Sequence, residues 1–378
     1  MTKKKYRLTG VRLFVILSAV LAVMVGLISY MIMGNVTDSL DSQTMEKRWE
    51  NGRSVAQIST FFSANSGADI NTIKEFRYKL DNALHEASIS GDEAYPDARL
   101  WIDAYSVSGE MELKVGKNSV EASAYGVGGD FFQFHPLKLL SGSYFSESDL
   151  NQDCCVLDED AAWQLFGSFD VAGMTLSADG KTLVVCGVIQ KPDGRLANEA
   201  GVKGPQIYLS YQAFNELSGE EDSALGISQY ELVMPNPVSN FALQKVQENM
   251  PVDEEDMLVI QNTDRFSLYR CLVLLSEYGT RSMSKRAIIF PYWENLARGY
   301  EDICIAVIFF VILCFTYATI AFMIEFGIWW KLKGWTFESV FMKLKDKLER
   351  MSERSYERRR AKKNKRNDRG QISFKEDE

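Results

Sequence analysis

The sequence predicts an α+β domain outside the membrane, held between two transmembrane α-helices. Three observations lead there. Leu13 to Met33 and Ile303 to Ile324 are uncharged apolar runs of 21 and 22 residues, and about 20 such residues cross a hydrocarbon core as a helix. The charge is uneven: five basic residues and no acid precede Leu13, 21 basic face 41 acidic residues between the runs, and 16 face 10 after Ile324. The segment between the runs mixes strand-like alternation with helical spacing, which selects α+β over all-β.

Each element follows from its own residues. Lys3, Lys4, Lys5, Arg7 and Arg12 make residues 1–12 a basic cytoplasmic N-terminus, because Lys and Arg gather on the inner side of spans. A cleaved signal peptide would have a shorter apolar core, about 7–15 residues, and a small-x-small site. "SYMIMGNV" offers none, so 13–33 is expected to remain as the first span. The second is 303–324, followed by a basic tail at 325–378. Both termini are thereby placed in the cytoplasm of a cell (plasma) membrane protein, and roughly 270 residues lie outside, enough for a sizeable core.

After the first span, "VTDSLDSQTMEKRWENGRSVAQISTFFSA" and "DINTIKEFRYKLDNALHEAS" both show helical spacing, the latter through Ile73, Phe76, Leu80 and Leu84. "ARLWIDAYSV" and "SVEASAYGV" alternate as strands. "CCVLDEDAAWQLFG" reads as a buried strand, Asp158 as an N-cap, a helix carrying Ala161, Ala162, Leu165 and Phe166, and Gly167 as its stop. "MTLSADGKTLVVCGVIQ" is a hairpin turning at Asp179-Gly180. Its Gly-Lys-Thr is no phosphate loop, since such a loop needs a further glycine where Thr175 stands. "YELVMPNP", "VSNFALQKVQENM" and "MLVIQNTDRFS" then give strand, helix and strand.

Little here supports an enzyme. His85 and His135 are the only histidines, too few and too far apart for a His-based metal site or triad, and His135 reads as a packed or surface residue. Asp253 to Asp256 lack the ordered loop of a calcium motif. No catalytic, cofactor-binding or metal residue is predicted, no cofactor is expected, and the acidic outer domain argues against nucleic acid. Cys154, Cys155, Cys186 and Cys271 form no disulfide framework. A bridge from the Cys154/Cys155 strand to Cys186 stays open, and buried small hydrophobes are the simpler reading.

The stretch "GGDFFQFHPLKLLSGSYFSESD", followed by "CVLDEDAAWQLFG", "DVAGMTLSADGKTLVVCGVI" and "IYLSY", resembles the extracytoplasmic core domain of MacB-type (FtsX-like) ABC transporter permeases. The matching positions are Gly129, Phe131, Phe132, Leu139, Leu140, Gly142, Phe145, Asp149, Val156, Ala161, Leu165, Phe166, Gly167, Gly173, Val185, Gly187 and Val188. Their order over roughly 60 residues carries the resemblance, more than any single element. It implies a porter-like α+β subdomain at 34–127 and 230–298, with a second α/β subdomain inserted at 128–229. It implies fold-specifying glycines and aromatics. It also implies a membrane subunit that couples ATP hydrolysis by a partner ABC ATPase to movement of the outer domain, a mechanotransmission role. Family permeases usually carry four spans, so the absent last two are expected from a further permease chain or a second copy.

Two segments are candidates for coupling or for the membrane interface. Pro291, Tyr292 and Trp293 precede the second span, as a stalk that transmits movement or as a plain aromatic belt at the headgroups. Beyond the span, Phe337, Val340, Phe341, Leu344, Leu348 and Met351 stand at helical spacing among basic residues as an amphipathic helix, with Trp329, Trp330 and Trp335 as its membrane anchors. That helix would lie on anionic lipid or dock on a cytoplasmic ATPase. The rival reading is a two-span sensor or scaffold whose outer domain binds a ligand and whose tail recruits an effector.

Overall fold

Strand alternation is the main architect of the outer domain, because each central strand sends its odd and even residues to two separately covered faces. The computed structural model describes residues 9–49, 54–90, 99–202, 204–218, 226–276, 288–333, 341–342 and 345–354. Their contacts divide the chain into two compact units, Ser29–Phe309 and Met1–Ile28 with Phe310–Glu378.

The first helix, α1 (Gly10–Asp38), leads to α2 (Met45–Trp49), β1 (Val55–Phe62) and α3 (Ile70–Glu86). A long hairpin, β2 (Ile102–Val115) and β3 (Asn118–Gly129), is followed by α4 (Phe131–Phe134), β4 (Leu139–Gly142), β5 (Cys154–Asp158) and α5 (Glu159–Phe166). Next come β6 (Thr175–Ala178), β7 (Lys181–Ile189), α6 (Arg195–Ala200), β8 (Gln206–Ser210) and α7 (Tyr211–Leu217). The chain returns through β9 (Gln229–Pro235), α8 (Phe241–Asn249), β10 (Met257–Gln261) and α9 (Leu268–Ser276) to α10 (Tyr292–Lys333).

All ten strands belong to one sheet, in the order β10-β1-β9-β2-β3-β8-β5-β7-β4, with β6 bridging β2 and β7. The pairs β2/β3, β3/β8, β8/β5, β5/β7, β7/β6 and β6/β2 close a circuit of six strands. The β2/β3 hairpin therefore serves twice. Ile102 to Ser106 pair with β9 in the open part of the sheet, while Leu113 and Lys114 pair with β6 in the closed part.

The closed circuit has an apolar core of fully buried Leu157, Leu183, Val185, Ile207 and Leu209, with Met111 and Leu113 beside them. Helix α5 begins as its sequence requires: Asp158 accepts from Ala161 N at 2.8 Å, and Gly167 ends it with φ 72°. Asp179 and Gly180 turn the β6/β7 hairpin at φ 43° and 91°. Gly129 and Gly142 also have positive φ, and a side-chain carbon at either would strike a backbone carbonyl, of Asp103 or Cys186. At both positions backbone angle and space together require glycine. The six cysteines are free thiols, and burial, with Cys154 alongside, pushes the Cys186 thiol up to about 12.

Helix α3 packs Ile73, Phe76, Leu80 and Leu84 against the upper face of the open sheet, opened by a capping box at Asp69 and Thr72. One expectation fails here: Val55–Phe62, read from its spacing as helix, is strand β1, paired to β9 and β10. Val55, Ile58 and Phe62 fall at helical spacing, but nearly every residue of this segment is buried. A strand covered on both faces shows no alternation to the eye.

The smaller unit includes Ala19 of α1 against Ala318 and Ala321 of α10. There Ser18 Oγ lies 2.8 Å from Tyr317 OH, and a side-chain carbon on Gly26 would come within 3.4 Å of Cys314. Small residues let the two helices approach closely, as they do between spans. Both helices are long and apolar enough to cross a membrane.

Candidate functional site: the buried junction under the open sheet

On the lower face of the open sheet, alternation exposes polar side chains where the first turns of α10 insert. Strand β1 turns Gln57 and Ser59 to this face, and β9 turns Gln229 and Glu231, while Tyr230 and Leu232 join the core above. All four polar residues are buried, so each needs a partner.

Helix α10 supplies part of that requirement. Trp293 Nε1 donates to Gln229 Oε1 at 2.9 Å. Its ring lies 4.5 Å from the His135 ring and 5.7 Å from those of Tyr125 and Phe131. His135 Nε2 stands 2.5 Å from Glu231 Oε2. Asn262 Nδ2 donates to Ser59 Oγ at 2.7 Å, so the polar chain continues beneath β1. Tyr292 OH and Tyr208 OH are 3.3 Å apart, and burial raises the Tyr292 phenol to about 12.

One turn further, Arg265 holds the helix by charge. Its Nη1 and Nη2 donate to the two oxygens of Glu294 at 2.7 and 2.8 Å, and its Nε donates to Glu301 at 2.6 Å. Nη1 also donates to Gln43, in the turn after α1, at 2.9 Å. Arg298 adds a 2.8 Å bond to Glu294, with its guanidinium 3.6 Å from the Phe290 ring centroid. Arg265, Glu294 and Glu301 are almost inaccessible to solvent, with side chains 2, 1 and 5% exposed. Burial alone would raise the Glu294 carboxyl, but the charges of Arg265 and Arg298 hold it below its usual range. Arg265 is correspondingly held above its usual value despite burial. A bidentate, fully desolvated pair of this kind fixes geometry.

The chemistry is that of a clamp. Around Arg265 the donors are spent on Glu294, Glu301 and Gln43, while Gln229 Nε2 and Asn262 Oδ1 are buried without a hydrogen-bond partner, and no cluster of metal-ligating side chains occurs among the described residues. A separate cleft of about 600 Å³ beside α3 is lined by charges already paired, Arg77 with Asp103 at 2.6 Å and Arg99 with Asp130 at 2.8 Å.

The sequence-selected residues divide between the two ends of α10. Pro291 accepts the first backbone bonds of the helix, and Tyr292 and Trp293, read as stalk or headgroup belt, are buried within protein. A belt requires rings presented to the headgroups; here the sheet and α4 cover them. Trp329 and Trp330 lie near the other end, each with its ring 5.7 Å from that of Phe326. Residues 345–354 are helical, with Phe341 and Leu348 exposed. Trp335, Phe337 and Leu344 lie outside the described residues. Sequence reasoning missed Arg265, Glu294, Glu301 and Glu231. One signal was available: Glu294 and Glu301, seven residues apart, share a helix face just before an apolar run.

A family model described as the MacB-like periplasmic core domain matches residues 17–249. Among curated proteins, the macrolide export ATP-binding/permease protein MacB of Pasteurella multocida is 31% identical over 107 residues, 28% of this chain and 16% of that protein. The protein of the same name from Neisseria gonorrhoeae is 35% identical over 88 residues, 23% of this chain and 14% of that protein. The chain thus matches about a sixth of the length of these relatives. Among solved structures, the periplasmic region of MacB from Actinobacillus actinomycetemcomitans aligns at 18% identity and a TM-score of 0.36, over 57% of this chain and 94% of that one. The extracellular domain of the transporter YknZ aligns at 13% identity and 0.35, over 54% and 99%.

Proposed function

The chain belongs to the MacB-like periplasmic core domain family of ABC transporter permeases, and from that premise we propose that it is a membrane subunit coupling ATP hydrolysis by a partner ATPase to movement of its outer domain. The carrying observation is the clamp of Arg265 on Glu294 and Glu301. It fastens the first turns of α10 to the segment after β10, and through Gln43 to the turn after α1. A displacement of α10 along its axis would break several buried charge-assisted bonds unless the sheet moved with it, so the sheet follows the helix.

In this reading the chain carries no catalytic step. The ATPase resides in a partner chain, and a further permease chain or a second copy joins this one in the membrane part. Both termini are cytoplasmic, and the basic tail lies against anionic lipid or the ATPase. The two arrangements of the outer domain must differ in their contacts with substrate or partner for ATP to select between them.

The test is gentle extraction from the native membrane, light cross-linking and identification of every co-purifying chain by mass spectrometry. A stoichiometric ABC ATPase is expected. In that assembly ATP should alter hydrogen exchange in β9 and the first turns of α10. Recovery of the chain alone, or with a signalling effector, would overturn the reading.

A further inference from the structure

Helix α9 has no place in the clamp, yet its composition is unusual for a helix at a domain surface. Of its residues, LYRCLVLLS, only Arg270 carries charge. Cys271 and Leu274 face inward, while Leu268, Tyr269, Leu272 and Leu275 are 46, 77, 45 and 50% exposed. A helix that is apolar all round belongs in a core or in lipid. Half of α9 has no protein cover among the described residues.

What lies behind the helix identifies what lies in front of it. Cys271 packs in one cluster with Met33, Cys304 and Ile308. Met33 closes the apolar run of α1, and Cys304 and Ile308 open that of α10. The inner face of α9 therefore rests on the ends of both apolar runs nearest the globular domain. Ile303 and Phe309 of α10, next in sequence to Cys304 and Ile308, are themselves exposed and would face acyl chains.

We propose that α9 is an interfacial helix, immersed in the lipid leaflet on the globular domain's side with Leu268, Leu272 and Leu275 among the acyl chains. The partner is the lipid surface. Tyr269 sits at the headgroup level, where amphipathic rings partition, and Arg270 is offered to phosphate, the pattern of membrane-surface helices. The helix starts three residues after Arg265, so the leaflet grips the chain close beyond the clamp. The inference rests on reading the two long helices as membrane spans.

The test is carbene footprinting of the full chain in nanodiscs of phosphatidylcholine and phosphatidylglycerol, using a phosphatidylcholine with a diazirine in its acyl chain. Tandem mass spectrometry should find insertion at Leu268, Leu272 and Leu275 as well as at exposed span residues such as Phe309. Hydroxyl radicals generated in water should leave those leucines unmodified. Leu272→Asp with Leu275→Asp should lose the lipid label from α9 and keep it on the spans. Labelled spans with α9 modified only from water would overturn the proposal while leaving the spans intact. Protection of α9 from both reagents would mean that protein covers it, and would also overturn the proposal. If lipid labelled neither spans nor α9, the spanning reading would fall and this inference with it.

Discussion

The closed circuit of strands and the junction beneath the open sheet are parts of one sheet, yet they are held by opposite means. Inside the circuit, Leu157, Leu183, Val185, Ile207 and Leu209 meet without a polar atom in their side chains. At the junction, Arg265, Glu294, Glu301, Glu231 and His135 are as deeply buried and meet through hydrogen bonds. Apolar packing is non-directional and rewards any close fit. A buried ion pair rewards one geometry, and replacing it by apolar residues is often neutral or stabilising. The junction is thus better explained by the need to hold α10 in a defined position than by stability.

The largest effect expected from this contrast is at Arg265. Arg265→Met strands Glu294 and Glu301 without their main partner, and breaking a buried pair costs about 3–5 kcal/mol. Thermal unfolding of the full chain in detergent would measure the loss. Adding Glu294→Gln and Glu301→Gln should recover much of it, since the carboxylates stranded by the loss of Arg265 are then neutral and Arg298, 25% exposed, keeps access to water. A triple variant as unstable as Arg265→Met would break the comparison.

The two regions should also answer acid with opposite sign. Glu294 has a lowered folded pKa, so its contribution is complete above about pH 4.5 and is lost as pH falls through the folded value. Asp158, at the base of α5, is raised to about 6 from 3.8, chiefly by burial. Its folded form binds the proton more tightly, so its contribution is greatest at acid pH and falls as pH rises from 3.8 to about 6. Asparagine caps a helix as well as aspartate, so Asp158→Asn keeps the bond to Ala161. It should gain stability relative to wild type between pH 4 and 7, by up to about 3 kcal/mol. Denaturant midpoints at the two pH values measure this. Glu294→Gln should instead flatten the decline below pH 4.5, and a gain in both variants of the same sign would refute the contrast.

The same division marks what was legible in the sequence. Local rules read the circuit well: Asp158 and Gly167 bound α5, Asp179-Gly180 turned its hairpin, and both apolar runs are helices. Each signal lies within a few residues of what it decides. The junction depends on distant pairs, Arg265 with Glu294 at 29 residues and His135 with Glu231 at 96, and no local pattern announces them. Strand β1 was misread because burial on both faces hid its period. Tyr292 and Trp293 are buried in the junction, and a belt and a buried anchor have the same composition.

Trp293 tests the junction more gently. Trp293→Phe keeps most of the ring packing against His135 and leaves Gln229 Oε1 without its donor, at a cost of about 1–3 kcal/mol. In the co-purified assembly, ATP-dependent exchange in β9 should weaken, because the shortest link from α10 to that strand is gone.

Ile207→Val gives the smallest effect and the sharpest control. Ile207 is fully buried in the circuit, and removing one methylene there costs about 0.5–1.5 kcal/mol. That loss overlaps the one expected for Trp293→Phe, so stability alone does not separate the two variants. Function should: Ile207→Val removes no link between α10 and the sheet, and its ATP-dependent exchange in β9 should match wild type. Equal weakening in both variants would mean that movement depends on the stability of the whole outer domain. The clamp would then be structural, and the sheet would have no privileged path to the helix. Weakening in Trp293→Phe alone would assign the transmission to the polar junction, where position is specified, and leave the apolar circuit as the rigid body that is moved.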